Sequence, residues 1–188
     1  MKSKLLLALL ATLTSASVFA ASATIEFQDM NSLYGAKDTH NVVLSVKENI
    51  SKSLVGDVTV GQVSSVGAGT SITRVEAGLT GLLPATSFAT VYTRVGLGDK
   101  TSTTTSFPFY NVESGVKTST PIVGLNTQLG FRFRSAFSET NKDTTRTLRA
   151  GVSYDLTKSD TVGVRFDGVR GVAPQVQNVY AVNYTRSF

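Results

Sequence analysis

Fourteen charged side chains fall at alternate positions of segments that otherwise read as apolar. The basic ones are Lys47, Arg74, Arg94, Lys117, Arg132, Arg134, Arg149 and Arg165; the acidic ones are Glu26, Asp57, Glu76, Glu113, Asp155 and Asp167. Spacing of two puts each on one face of a strand, opposite the apolar residues. Arginine forks and carboxylates gathered on one face can pair bidentately into a closed network. With eight basic groups against six acidic ones, they can instead line a narrow water-filled path that favours anions. Arg132, Arg134, Arg149 and Arg165 lie on consecutive segments, which tilts the reading toward the path. Its expected lining is Arg74, Glu76, Arg94, Glu113, Lys117, Arg132, Arg134, Arg149, Asp155, Arg165 and Asp167.

Other chemistries find no constellation. The chain has one histidine, His40, expected in the connection after the first segment, near Asp38 and Ser32. No nucleophile, base and orienting group can be assigned by spacing, so no catalytic residue and no enzyme activity are expected. Without cysteine and without paired histidines there is no metal-ligand pattern, and no cofactor is expected. Gly96-Leu97-Gly98-Asp99-Lys100-Thr101 lacks the full glycine spacing of a phosphate loop and a helix after it. It reads as a strand running into a loop. The pI of 9.6 comes from scattered charges, which do not form the basic stripe of a nucleic-acid binder.

Ten segments would carry the charged face. They centre on residues 23–30, 41–50, 54–63, 71–82, 87–97, 109–117, 123–134, 145–156, 161–168 and 179–188, divided by clusters of Gly, Pro, Ser, Thr, Asn and Asp. The seventh is the clearest, with Val123, Leu125, Leu129, Phe131 and Phe133 opposite Asn126, Gln128, Arg132 and Arg134. In the fifth, Phe88 and Tyr92 fall with Arg94 rather than with the apolar residues. Connections alternate between long (31–40, 64–70, 98–108, 138–144, 169–176) and short (51–53, 83–86, 118–121, 157–160). An antiparallel barrel with short turns on one side and longer loops on the other has this form, with both termini on the short side. Eight strands would need a merger around the fifth segment, and twelve would split segments already near the ~9–11 residues that cross a bilayer. Phe27, Tyr34, Phe109, Tyr110, Phe133, Phe137, Tyr154, Tyr180 and Phe188 lie near strand ends, as interfacial girdles do.

Met1-Lys2-Ser3-Lys4, the apolar run from Leu5 to Leu10, and the small residues ending in Val18-Phe19-Ala20 have the order of a secretory signal peptide. Residues 1–20 are therefore expected to be cleaved from a 21–188 barrel. That removes Lys2 and Lys4 and no acid, leaving 16 Lys and Arg against 13 Asp and Glu, a net +3.

The last segment alternates Tyr180, Val182, Tyr184 and the terminal Phe188 with Ala181, Asn183, Thr185 and Ser187. It resembles the C-terminal signature of Gram-negative outer-membrane β-barrel proteins, small and porin-like. Arg186 stands where that signature usually has an apolar residue, and a rim arginine can reach the headgroups. The resemblance implies an all-β, transmembrane, up-and-down antiparallel barrel in the cell outer membrane, surrounded by its lipid. It also implies that Tyr180, Val182, Tyr184 and Phe188 are read by the barrel-assembly machinery. The expected function is passive diffusion of small, anionic solutes through a narrow Arg-lined lumen. The alternatives are a non-conducting barrel that acts through its surface and, further off, a soluble periplasmic barrel with its apolar faces inside.

Overall fold

The structure is a computed structural model, and it describes residues 22–32, 39–65, 71–141, 143–171 and 176–188. The proposed signal segment, Tyr34 and Asp38 lie outside the described residues. Ten strands follow in order: β1 (Ser22–Ser32), β2 (Thr39–Ser51), β3 (Leu54–Ser65), β4 (Ser71–Pro84), β5 (Ala89–Thr101), β6 (Ser106–Ser119), β7 (Leu125–Ala136), β8 (Thr145–Asp155), β9 (Asp160–Gly171) and β10 (Gln177–Ser187). A 3₁₀ turn, Glu139–Asn141, sits between β7 and β8. Each strand pairs antiparallel with its neighbours, and β1 pairs with β10 to close the barrel. Ser22 lies opposite Ser187, so both ends of the barrel chain share one rim. We call this the terminal end and the opposite rim the distal end.

Side-chain alternation sets which face is which. Phe27, Val58, Leu79, Val95, Leu129, Phe131, Leu148, Val164 and Val182 are all exposed, whereas Glu26, Asp57, Glu76, Glu113 and Asp167 are buried. The apolar face thus forms the outer wall and the charged face the lumen, the inverse of a soluble barrel. An outer belt of Leu, Val and Phe is stable against lipid and costly against water. The strands run 11 to 14 residues, enough for a tilted strand to cross a bilayer. The soluble alternative is overturned by this sidedness.

Three expectations are corrected. The fifth connection is not long: β5 and β6 extend to Thr101 and from Ser106, leaving only residues 102–105 between them. Cross-strand hydroxyls zip the low-complexity stretch into the ladder, with Thr101 Oγ1 3.0 Å from Ser106 Oγ. Phe109 is not part of an outer girdle. It is 0% exposed, on the same face of β6 as Asn111 and Glu113, inside the barrel. His40, expected in a loop, belongs to β2 and lies on the outer wall, its Nδ1 3.3 Å from Asp29 Oδ1. The fifth segment keeps a single parity throughout: Tyr92 and Arg94 point inward and Val91, Val95 and Leu97 outward.

Candidate functional site: the barrel lumen

Across the middle of the lumen, three arginines share five carboxylates. Arg94 donates from Nε to Asp57 Oδ1 (3.0 Å) and from Nη2 to Asp57 Oδ2 (2.6 Å). Its Nη1 pairs with Glu76 and donates to Asn111 Oδ1 at 2.9 Å. Arg149 makes a fork to Asp167, Nε to Oδ1 at 3.0 Å and Nη2 to Oδ2 at 3.1 Å, and reaches Glu113 Oε2 with Nη1 at 2.8 Å. Arg165 makes a third fork, to Glu26 (2.6 and 2.9 Å), and places Nε 3.1 Å from Asp167. Such forks satisfy several carboxylate lone pairs at once, which is what makes burial of these charges tolerable.

Tyr92 braces the network from β5. Its hydroxyl donates to Glu113 Oε1 at 2.9 Å and accepts from Gln128 Nε2 at 2.6 Å. The ring lies across Gly115 and Gly130, where any side chain would collide with it. Those glycines are required by close approach rather than by backbone conformation.

The distal half is filled by different chemistry. Asp143, from the connection between β7 and β8, is buried and held by Lys100 Nζ at 2.7 Å and Arg134 Nη2 at 3.1 Å. Each cation also faces an inward aromatic ring, Lys100 over Phe107 at 5.4 Å and Arg134 over Phe109 at 5.7 Å. Among the described residues, Phe109, Asn111, Thr147 and Asp143 are the most deeply buried large side chains, none above 2% exposed. Met30, Val169 and Val179 form a small apolar cluster at the same end.

Toward the terminal end the lumen opens into a cavity of about 580 Å³. Lys47, Arg74, Lys117 and Arg132 line it, and among the described residues none of the four has a carboxylate within the 4.0 Å of an ion pair. Lys47, Asn49 and Lys117 at its mouth are exposed to solvent. Arg74 and Arg132 stand deeper, and the Nε of each is buried without a hydrogen-bond partner. Their two charges offset the excess of five central carboxylates over three arginines. Lys47 and Lys117 then leave the mouth positive.

Of the eleven expected lining residues, Arg74, Glu76, Arg94, Glu113, Lys117, Arg132, Arg149 and Arg165 border this cavity. Asp167 is in the central network. Arg134 belongs to the distal cluster. Asp155 lies apart at the terminal rim, exposed, where it accepts from Asn126 and Thr161. Lys100, Phe107 and Asp143 were not expected in the lumen. Parity along an extended fifth strand assigns Lys100 to the Arg94 face, and likewise Phe107 to the Glu113 face, whereas Asp143 lies in a connection where no period operates. Among the described residues there is no group of three or more His, Cys, Asp or Glu side chains that could hold a metal.

No protein-family model and no curated protein matches the sequence. Solved structures do resemble the fold. The NanC porin superposes with a TM-score of 0.57 at 11% identity, over 87% of this chain and 100% of that one. An outer membrane channel from Pseudomonas putida F1 gives 0.60 at 10% identity, over 90% and 96%. The KdgM porin, in complex with disordered oligogalacturonate, gives 0.51 at 12% identity, over 89% and 99%. The chain therefore has the fold of small, porin-like outer-membrane barrels.

Proposed function

We propose that this protein is an outer-membrane channel of porin type, through which small anionic solutes diffuse passively. One observation carries the reading: a cavity open at one end is lined by four cations that among the described residues have no carboxylate within 4.0 Å, while the central carboxylates are taken up by Arg94, Arg149 and Arg165. Unpaired guanidinium and ammonium groups in a narrow, low-dielectric space attract anions and repel cations. The ligand in the KdgM complex, oligogalacturonate, is a polyanion of the charge class that this cavity would admit.

In this reading residues 1–20 direct export, both rims of the barrel project beyond the bilayer, and the terminal end faces the periplasm. Tyr180, Val182, Tyr184 and Phe188 present an apolar edge on the outer wall, three of them at 51%, 60% and 56% exposure for Tyr180, Val182 and Phe188. That edge is the signal the barrel-assembly machinery would read. The lumen carries no catalysis in this reading.

The test is conductance of the purified protein in planar bilayers, with reversal potentials under a salt gradient. The expected result is a small conductance that favours chloride over potassium, with the preference lost in Arg74→Gln/Arg132→Gln. A second reading, a non-conducting barrel, is favoured by the filled distal half around Phe109 and Asp143. A silent bilayer would select it and end the channel proposal.

A further inference from the structure

The outer wall carries a pair of like charges that the lumen does not explain. Arg146 of β8 and Arg170 of β9 are cross-strand partners. Both are exposed, and each lies between residues that point inward: Thr145 and Thr147 flank Arg146, and Val169 precedes Arg170. Directly opposed residues on one face bring their β-carbons to about 4.5–5.5 Å, and like charges placed so repel each other. Neither has a carboxylate partner among the described residues. Arg170 spends one donor on its neighbour's carbonyl, Nη1 to Val169 O at 2.9 Å, and Arg146 makes no side-chain hydrogen bond there.

The surroundings define a level in the membrane. Phe133 is the cross-strand partner of Arg146 on its other side and packs against Tyr110, with ring centroids 6.1 Å apart; Tyr110 in turn packs on Phe137 at 5.3 Å. Aromatic clusters of this kind settle at the boundary between acyl chains and headgroups. On the hydrocarbon side of the arginines the same wall presents Leu148, 57% exposed, opposite Gly168, which has no side chain. The opposite rim is built differently. There the outward Arg186 lies 3.4 Å from Asp160, so its charge is answered within the protein.

We infer that Arg146 and Arg170 dock a phosphate-bearing lipid headgroup at the distal end, with Leu148 and the aromatic cluster against its acyl chains. Two adjacent guanidinium forks match the oxygens of a phosphate monoester, and its charge removes the repulsion between them. In the orientation proposed above, the lipid facing this rim is the phosphorylated glucosamine lipid of the outer leaflet.

The test reads lipid retention, so neither conductance nor orientation enters. The full barrel is reconstituted in nanodiscs of phosphatidylcholine doped in both leaflets with bisphosphorylated lipid A or with the same lipid after phosphatase treatment. It is then extracted in mild detergent and the retained lipid quantified by mass spectrometry. Wild type should retain the phosphorylated form about tenfold over the dephosphorylated one, the ratio that a well-placed charged contact supports. Arg146→Gln/Arg170→Gln should abolish that ratio, while Lys52→Gln/Lys158→Gln, at exposed turns of the terminal end, should keep it. A heat-dependent shift in gel migration verifies that each variant is folded. Equal retention of both lipids by wild type, which requires no variant, would overturn the proposal. So would a preference that survives in Arg146→Gln/Arg170→Gln.

Discussion

The two halves of the lumen use cations in opposite ways. In the distal half Lys100 and Arg134 converge on one buried carboxylate, Asp143, and press on the rings of Phe107 and Phe109. The cavity that opens at the terminal end has Lys47 and Lys117 at its mouth and Arg74 and Arg132 at its deep end, and among the described residues none of the four has an acid partner within ion-pair distance. The same residue types thus close one end and hold the other open, and the partner supplied decides which. Between them, the forks of Arg94, Arg149 and Arg165 tie β1, β3, β4, β5, β6, β8 and β9 together across the lumen. Ladder hydrogen bonds link only adjacent strands, so these ion pairs are what brace the barrel across its width.

That difference is most exposed to attack at Arg149. Arg149→Met leaves Glu113 without its guanidinium and Asp167 with Arg165 alone, and breaking a buried, hydrogen-bonded ion pair costs about 3–5 kcal/mol. Arg132→Met removes the same side chain one strand away, where no carboxylate lies within ion-pair distance, and should cost a third of that or less. Guanidinium chloride unfolding in detergent micelles, followed by tryptophan-free tyrosine fluorescence or circular dichroism, compares the two. Equal losses would mean that the distinction between bracing and cavity-lining arginines is not real.

The distal filling is tested next by Phe109→Ala. Removing a fully buried ring costs about 3 kcal/mol in a packed interior and should widen the distal half, raising single-channel conductance. Leu82→Ala, a truncation beside the terminal cavity, should leave conductance near its wild-type value. If Phe109→Ala leaves conductance unchanged as well, the constriction lies elsewhere. Asp143→Asn follows, with an expected loss of about 1.5–3 kcal/mol, the range for hydrogen bonds to charged groups. It leaves Lys100 and Arg134 facing each other without the carboxylate between them. The connection around Glu139–Asn141 should then become the first site of cleavage in limited proteolysis, and a cleavage pattern identical to wild type would remove Asp143 from the role of anchor.

What could be read in advance follows the period of the strand. Alternation fixes parity, so Leu125, Phe131 and Val152 outside and Arg132 and Arg149 inside follow from spacing alone. The same rule already put Phe109 inside, because it shares parity with Glu113 and Lys117; its position near a strand end suggested a girdle and masked that signal. Lys100 was lost for a related reason. Ending the fifth strand at Leu97 cut it off from Arg94, although the Thr and Ser run continues the ladder. Asp143 was beyond reach, since a side chain that drops into the lumen from a connection obeys no period. Pairing was also hidden: spacing says that Arg94 and Arg132 share a face, but only barrel closure and register determine that one meets Asp57 and Glu76 and the other meets none.

The smallest expected effect lies outside the lumen, where the same pairing has a different value. Arg186 is 58% exposed by its side chain and its contact with Asp160 is 3.4 Å long. Asp160 is already engaged by the hydroxyls of Tyr184 at 2.5 Å and Thr157 at 2.7 Å. Water and salt screen an ion pair in that setting, and exposed pairs often contribute nothing measurable. Arg186→Gln should therefore leave the unfolding midpoint where it is, at low and at high salt, whereas Arg149→Met should lower it at both. A drop for Arg186→Gln that vanishes on adding salt would show that the rim pair also fastens the closing strand. The contrast between lumen and wall would then be one of degree, set by how much water each arginine meets.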